Sequence, residues 1–111
     1  MPEKNFKFWL DGESFAFVEF VTTNGKVTRF VVRLIHIVDG KPVDVLRYDT
    51  AHGKPHRDLL KRNGELLEKE WFEDTDLDAA LTMAIKEIKV QYDQRIKDFF
   101  RQGLPGNFHQ D

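Results

Sequence analysis

The chain has 111 residues, 41% apolar and 13% aromatic, with 17 Lys/Arg against 19 Asp/Glu for a net charge of −2. That length and apolar content predict one domain with a modest core of its own and exclude an intrinsically disordered chain. Cysteine is absent, which excludes disulfides and thiolate metal sites and suits a reducing compartment. No apolar run approaches the ~20 residues of a membrane span, and the start, Met1-Pro2-Glu3-Lys4, lacks a signal peptide's apolar run. The expectation is a cytoplasmic protein with no membrane contact. Charge is uneven: residues 1–62 carry 11 Lys/Arg against 8 Asp/Glu, residues 63–111 carry 6 against 11. A slightly basic front half suits a polyanion on one face, and equally suits ordinary solvated charge.

No repeat or low-complexity linker divides the sequence, so residues 1–111 are read as a single domain. Phe6 to Leu10 forms a short first strand closed by Asp11-Gly12, and Ser14 to Thr22 follows, rich in Phe and Val. Asn24-Gly25 is a strong hairpin signal, because both central positions of such a turn need positive φ. Val27 to Val38 alternates Phe30, Val32 and Leu34 with Arg29, Val31, Arg33 and Ile35. Asp39-Gly40 turns the chain again into Pro42 to Tyr48. Strands joined by tight turns make an antiparallel meander. After it, Pro55 suits the first position of a helix. Asp58 early and Lys61 and Arg62 late match the helix dipole, and Asn63-Gly64 reads as a stop, so a short helix is predicted over 55–62. Glu65 to Phe72 returns as a strand. From Thr75, a capping box of Thr75-Asp76-Leu77-Asp78 opens a long helix. Its stripe of Leu77, Leu81, Ala84, Ile85, Ile88, Tyr92, Ile96 and Phe99 should lie on the sheet, and Gly103 and Pro105 should end it. At ~37 Å this helix outruns a three-stranded sheet. Phe99 and Phe100 are then expected to overhang and offer a homodimer contact, with an uncovered strand edge as the alternative. The fold class is α+β: a meander of three to five strands, a long C-terminal helix packed on it and a short helix after the central loop.

The chemistry concentrates in Arg47-Tyr48-Asp49-Thr50-Ala51-His52-Gly53-Lys54-Pro55-His56-Arg57-Asp58, where the backbone must turn. His52 and His56 are four apart, but Gly53 and Pro55 break the helix that would make them metal ligands, so no metal and no cofactor is expected. A helix start at Pro55 would instead hold an anion, with Arg47, Lys54 and Arg57 binding phosphate. His52 and His56, with Asp49 or Asp58 fixing a tautomer, are then the candidate acid and base of RNA cleavage, since imidazole titrates near working pH. A loop His56 with solvent access should be removable without unfolding. The alternative is that this loop is structural, capping the helix, in a non-catalytic module that binds a protein partner. His36, inside a strand, reads as structural, and His109 lies in a tail.

Arg47-Tyr48-Asp49, followed by His52 and His56, resembles the Arg-[Trp/Tyr]-Asp-Asn-x-x-His pattern of the TumE-type toxins of prokaryotic toxin–antitoxin modules. Thr50 stands where that family has Asn, and two histidines replace a denser cluster. The run from Arg47 to Gly53, with His56-Arg57-Asp58 nearby, also looks like the signature of a prokaryotic family of its own. The toxin resemblance implies a nucleic-acid-directed toxin, acting on RNA or nucleotides and neutralised by a DNA-binding antitoxin. Arg47, Asp49, His52 and His56 are the matching positions.

Overall fold

The computed structural model describes residues 3–50, 54–72 and 76–102. Six strands run β1 (Glu3–Asp11), β2 (Ser14–Thr23), β3 (Lys26–Val38), β4 (Lys41–Asp49), β5 (His56–Leu60) and β6 (Leu66–Trp71), and one helix, α1 (Leu77–Arg101), follows. All neighbours pair antiparallel, and the strand order in the sheet is the order in the sequence. The α+β meander with a long C-terminal helix is as expected. Among the described residues the strands number six, above the three to five predicted.

The hairpin pairs behave as their chemistry requires. Asn24 and Gly25 have φ of 54° and 78°, Asp39 and Gly40 of 52° and 78°. These are the positive values that only Gly, Asn and Asp adopt at low cost. The short helix over 55–62 is a correction, since that stretch is β5 and a turn. Lys61 N donates to Glu65 O at 2.7 Å and Gly64 N to Lys61 O at 2.9 Å, so Asn63-Gly64 turns a hairpin rather than ending a helix. Pairing puts Arg57 opposite Glu70 and Asp58 opposite Lys69, opposite charges that favour this register. Pro55 keeps its carbonyl in the ladder, accepting from Phe72 N at 2.9 Å, and its missing N–H costs nothing at a strand start.

Side chains alternate across a sheet, and the helix covers one face. Ala16, Val18, Phe30, Val32, Leu34, Leu46 and Tyr48 point to α1 and pack with its Ala80, Leu81, Ala84, Ile88 and Phe99 into the core. Burying each large side chain of this kind stabilises by roughly 1.5–3 kcal/mol. Asp76 caps the helix by accepting from Ala79 N at 2.7 Å; Thr75, and the expected stops at Gly103 and Pro105, lie outside the described residues. The predicted overhang does not occur at Phe99, which is 3% exposed in the core. Phe100 stands edge-on to the His36 ring at 5.5 Å, and Ser14 Oγ holds His36 Nδ1 at 2.8 Å. Neither Phe is therefore an exposed helix end available for a dimer. A bulge places Val45 as an extra residue in β4 between partners Leu34↔Leu46 and Ile35↔Asp44. It turns Asp44 onto the uncovered face, where Arg33 binds it bidentately at 3.1 and 3.3 Å. Among the described residues, no helix is long and apolar enough to cross a membrane.

Candidate functional site on the uncovered sheet face

The end of β4 and the start of β5 bring the central stretch together on the face away from α1. The pairing Asp49↔His56 and Arg47↔Asp58 puts four polar side chains in two adjacent cross-strand positions. His56 is 1% exposed and Asp58 3%. His56 Nε2 lies 2.8 Å from Asp49 Oδ1 and 3.7 Å from Asp58 Oδ2. On its other side, Nδ1 faces the Lys54 carbonyl at 3.2 Å. Both ring nitrogens thus face oxygen acceptors, and the proton between Nε2 and Asp49 is shared by the pair. Trp71 closes over it, ring centroids 4.9 Å apart.

Arg47 ties the two acids together. Its NH2 donates to Asp58 Oδ2 at 3.0 Å and its Nε lies 3.2 Å from Asp49 Oδ2. The Nε contact is an ion pair off the hydrogen-bonding line, which leaves that buried nitrogen without a geometric acceptor. Asp58 Oδ1 is in the same position, 3.4 Å from Lys69 Nζ. Asp49, His56 and Asp58 offer three ligand-type atoms within 4.8 Å of one another, so these residues could hold a cation. Arg47 and Lys69 already supply two positive charges to the same carboxylates, which removes the electrostatic demand for a divalent ion. Beside the cluster, a cleft of about 500 Å³ is lined by Arg47, Asp58, Lys61, Arg62, Asn63 and Lys69 among others. A second, of about 380 Å³, is lined by Asp49, Val31, Glu19 and Arg29.

Residues 1–103 match the family model of a domain of unknown function, DUF7718. The chain belongs to that family. Nothing among curated proteins or solved structures matches it. The DUF7718 domain therefore contains all six strands, the helix and both halves of the cluster.

Within this DUF7718 domain, four of the residues singled out from sequence meet, namely Arg47, Asp49, His56 and Asp58. His52 lies outside the described residues. Lys54 is exposed and contributes its carbonyl. The predicted anion site at a helix start is absent, because Pro55 opens a strand. Arg57 is not part of the group. One step along β5 from His56, it points to the opposite face, where it bonds Glu70 and donates to Glu87 Oε1 at 2.6 Å. Tyr48 donates to the same Glu87 oxygen at 2.6 Å. Lys61 and Arg62 of the cleft were read from sequence only as helix-end cations, and Lys69 was not singled out. The signal for Lys69 was its mirror position to Asp58 about Asn63-Gly64, visible only once that pair is read as a hairpin turn.

The network under the helix has a pH signature. Burial first, then the hydrogen bond to Glu87, push the Tyr48 phenol well above the ordinary tyrosine range. Arg57 is held above its own usual range as well: burial pulls it down, but its bonds to Glu70 and Tyr48 outweigh that. A proton held more tightly folded than unfolded gives stability that is complete below the unfolded value, ~10 for tyrosine, and is lost as pH rises beyond it. In an alkaline titration, one tyrosine equivalent should therefore ionise only as ellipticity collapses. Ionisation of both tyrosines in the folded protein would show that the Tyr48–Glu87 bond is not maintained.

Proposed function

We propose that this protein acts on RNA or nucleotides, in the manner of a small toxin, through Asp49 and His56. The observation that carries this reading is the 2.8 Å Asp49–His56 pair, linked through Arg47 and Asp58 to a cleft whose cations are Arg47, Lys61, Arg62 and Lys69. With Nδ1 anchored to a backbone carbonyl, Nε2 shares its proton with Asp49, and Asp49, the more exposed of the two, is the group that would take a proton from a nucleotide hydroxyl and return it to the leaving oxygen. Arg47 would hold a phosphate while leaving its carboxylates, and Lys69 would follow. Arg57 has no part, being committed to the other face. A cognate antitoxin would act by covering the cleft.

A second reading has its own observation. His56 is buried and both its nitrogens are engaged, as in a polar fastener between β4 and β5 within a non-catalytic interaction module. One experiment separates the two. Asp49→Asn and His56→Gln are purified beside wild type, their melting is recorded, and cleavage of labelled RNA is followed. If the pair moves protons, rates should fall by about 10²–10⁴ in protein that is still folded at the assay temperature. Arg47→Ala should weaken binding most at low salt. Unchanged cleavage in folded Asp49→Asn ends the catalytic reading. Wild type that cleaves nothing, with variants that only melt earlier, leaves the fastener.

A further inference from the structure

The strand register aligns residues that are far apart in sequence into one line. Lys7 pairs Phe17, Phe17 pairs Arg33, Arg33 pairs Arg47, Arg47 pairs Asp58 and Asp58 pairs Lys69. This row crosses all six strands on the uncovered face, and four of its six members are cations. Its one acid, Asp58, is 3% exposed and already bound by Arg47 and Lys69. Arg33 directly opposite Arg47 is a like-charge pair, which sheets disfavour. The partial relief given by Asp44 and Asp49 comes from the rows on either side.

Both ends of the row repeat one arrangement. Lys7 lies over Trp9 at 5.5 Å on β1, and Lys69 lies over Trp71 at 5.3 Å on β6. The two indoles are 52% and 46% exposed. Between them Phe15 takes Lys7 at 5.1 Å and Phe17 takes Arg33 at 5.8 Å. Exposed aromatic planes interleaved with cations are what a single strand requires. Bases stack on the rings, phosphates follow the charges, and an open sheet face admits unstacked bases where a duplex would present only its backbone. At ~4.8 Å per strand the row spans about 24 Å, and its Arg47, Asp58 and Lys69 line the cleft described above.

We infer that this row is a binding track for a single-stranded RNA segment, laid across the strands from the Lys7/Trp9 edge to the Lys69/Trp71 edge. The RNA assignment rests on the function proposed above; the track itself rests on the register. The test is fluorescence anisotropy with a labelled RNA of roughly eight nucleotides, its duplex and the DNA of the same sequence. The proteins are wild type, Lys7→Gln, Arg33→Gln, Trp9→Ala and the control Lys86→Gln on the far side of the molecule. Single-stranded RNA should bind best. Trp9→Ala should weaken it about fivefold or more, the loss of one stacked base. Lys7→Gln and Arg33→Gln should each lower the salt slope by about 0.7, one phosphate contact on a single strand, with Lys86→Gln unchanged. The track is overturned if wild type does not bind, if duplex binds better, or if Lys7, Arg33 and Trp9 variants bind like wild type. A preference for the DNA strand overturns the RNA assignment. Cleavage that depends on Asp49 and His56 while ignoring Lys7 and Trp9 removes the track and leaves the proposed function standing. The converse removes the function and leaves the track.

Discussion

Arg57→Met should cost about 3–5 kcal/mol of folding stability, the usual result of removing one partner from a buried ion pair. The side chain is 11% exposed, bonded to Glu70 from β6 and Glu87 from α1, and stacked over Tyr48 and Phe72 at 5.9 and 5.7 Å. Met keeps most of the packing volume but leaves Glu87, 26% exposed, without its cation beneath the helix. Glu70, 39% exposed, can turn to water and contributes less. Urea unfolding measures the loss, and the double variant Arg57→Met/Glu87→Gln should recover a large part of it. Glutamine still accepts from the Tyr48 hydroxyl and brings no buried charge. A loss below ~1 kcal/mol for Arg57→Met would reduce the contact to a surface ion pair.

His56→Ala is the second large effect, about 2–5 kcal/mol. It combines a cavity where the ring lay against Trp71 with the Asp49 carboxylate deprived of its partner at 2.8 Å. At roughly 4 °C per kcal/mol for a domain of this size, melting should drop by about 8–20 °C. Lys69→Ala, which removes a 31% exposed cation from the same Asp58, should cost ~1 kcal/mol or less. The sequence-based expectation that His56 could be removed harmlessly assumed a solvated loop, and burial reverses it. Wild-type melting of His56→Ala would show that the ring is not built into the sheet.

The meander and the long helix were legible because their signals are local. Asn24-Gly25 and Asp39-Gly40 admit few backbones, and the stripe from Leu77 to Phe99 has one period. The failure at 55–62 has a physical cause. A Pro before a run and Asn-Gly after it punctuate helix and strand alike, and His56-Arg57-Asp58-Leu59-Leu60 is too short for its period to decide. Tertiary pairing decided instead. The informative signal was the mirror arrangement of Arg57 with Glu70 and Asp58 with Lys69 about Asn63-Gly64, which no window within the run contains. The candidate site was half legible for the same reason. Arg47, Asp49 and His56 are close in sequence, whereas Lys7, Arg33 and Lys69 join them only through register.

Because the strands lie in the sheet in the order in which they are made, no pairing has to wait for a distant segment. Each hairpin closes over a short loop, a small loss of chain entropy. The contacts that a folding chain must find are mostly near neighbours, the condition under which mixed α/β domains fold faster than sandwiches with interleaved strands. The helix is the exception, since it must return from the end of the chain to β3 and β4, and its Asp78 reaches Val27 N at 3.4 Å over 51 residues. The sheet can thus assemble progressively behind the ribosome, with the apolar side of β2–β4 remaining bare until the 25 residues of α1 arrive to cover it.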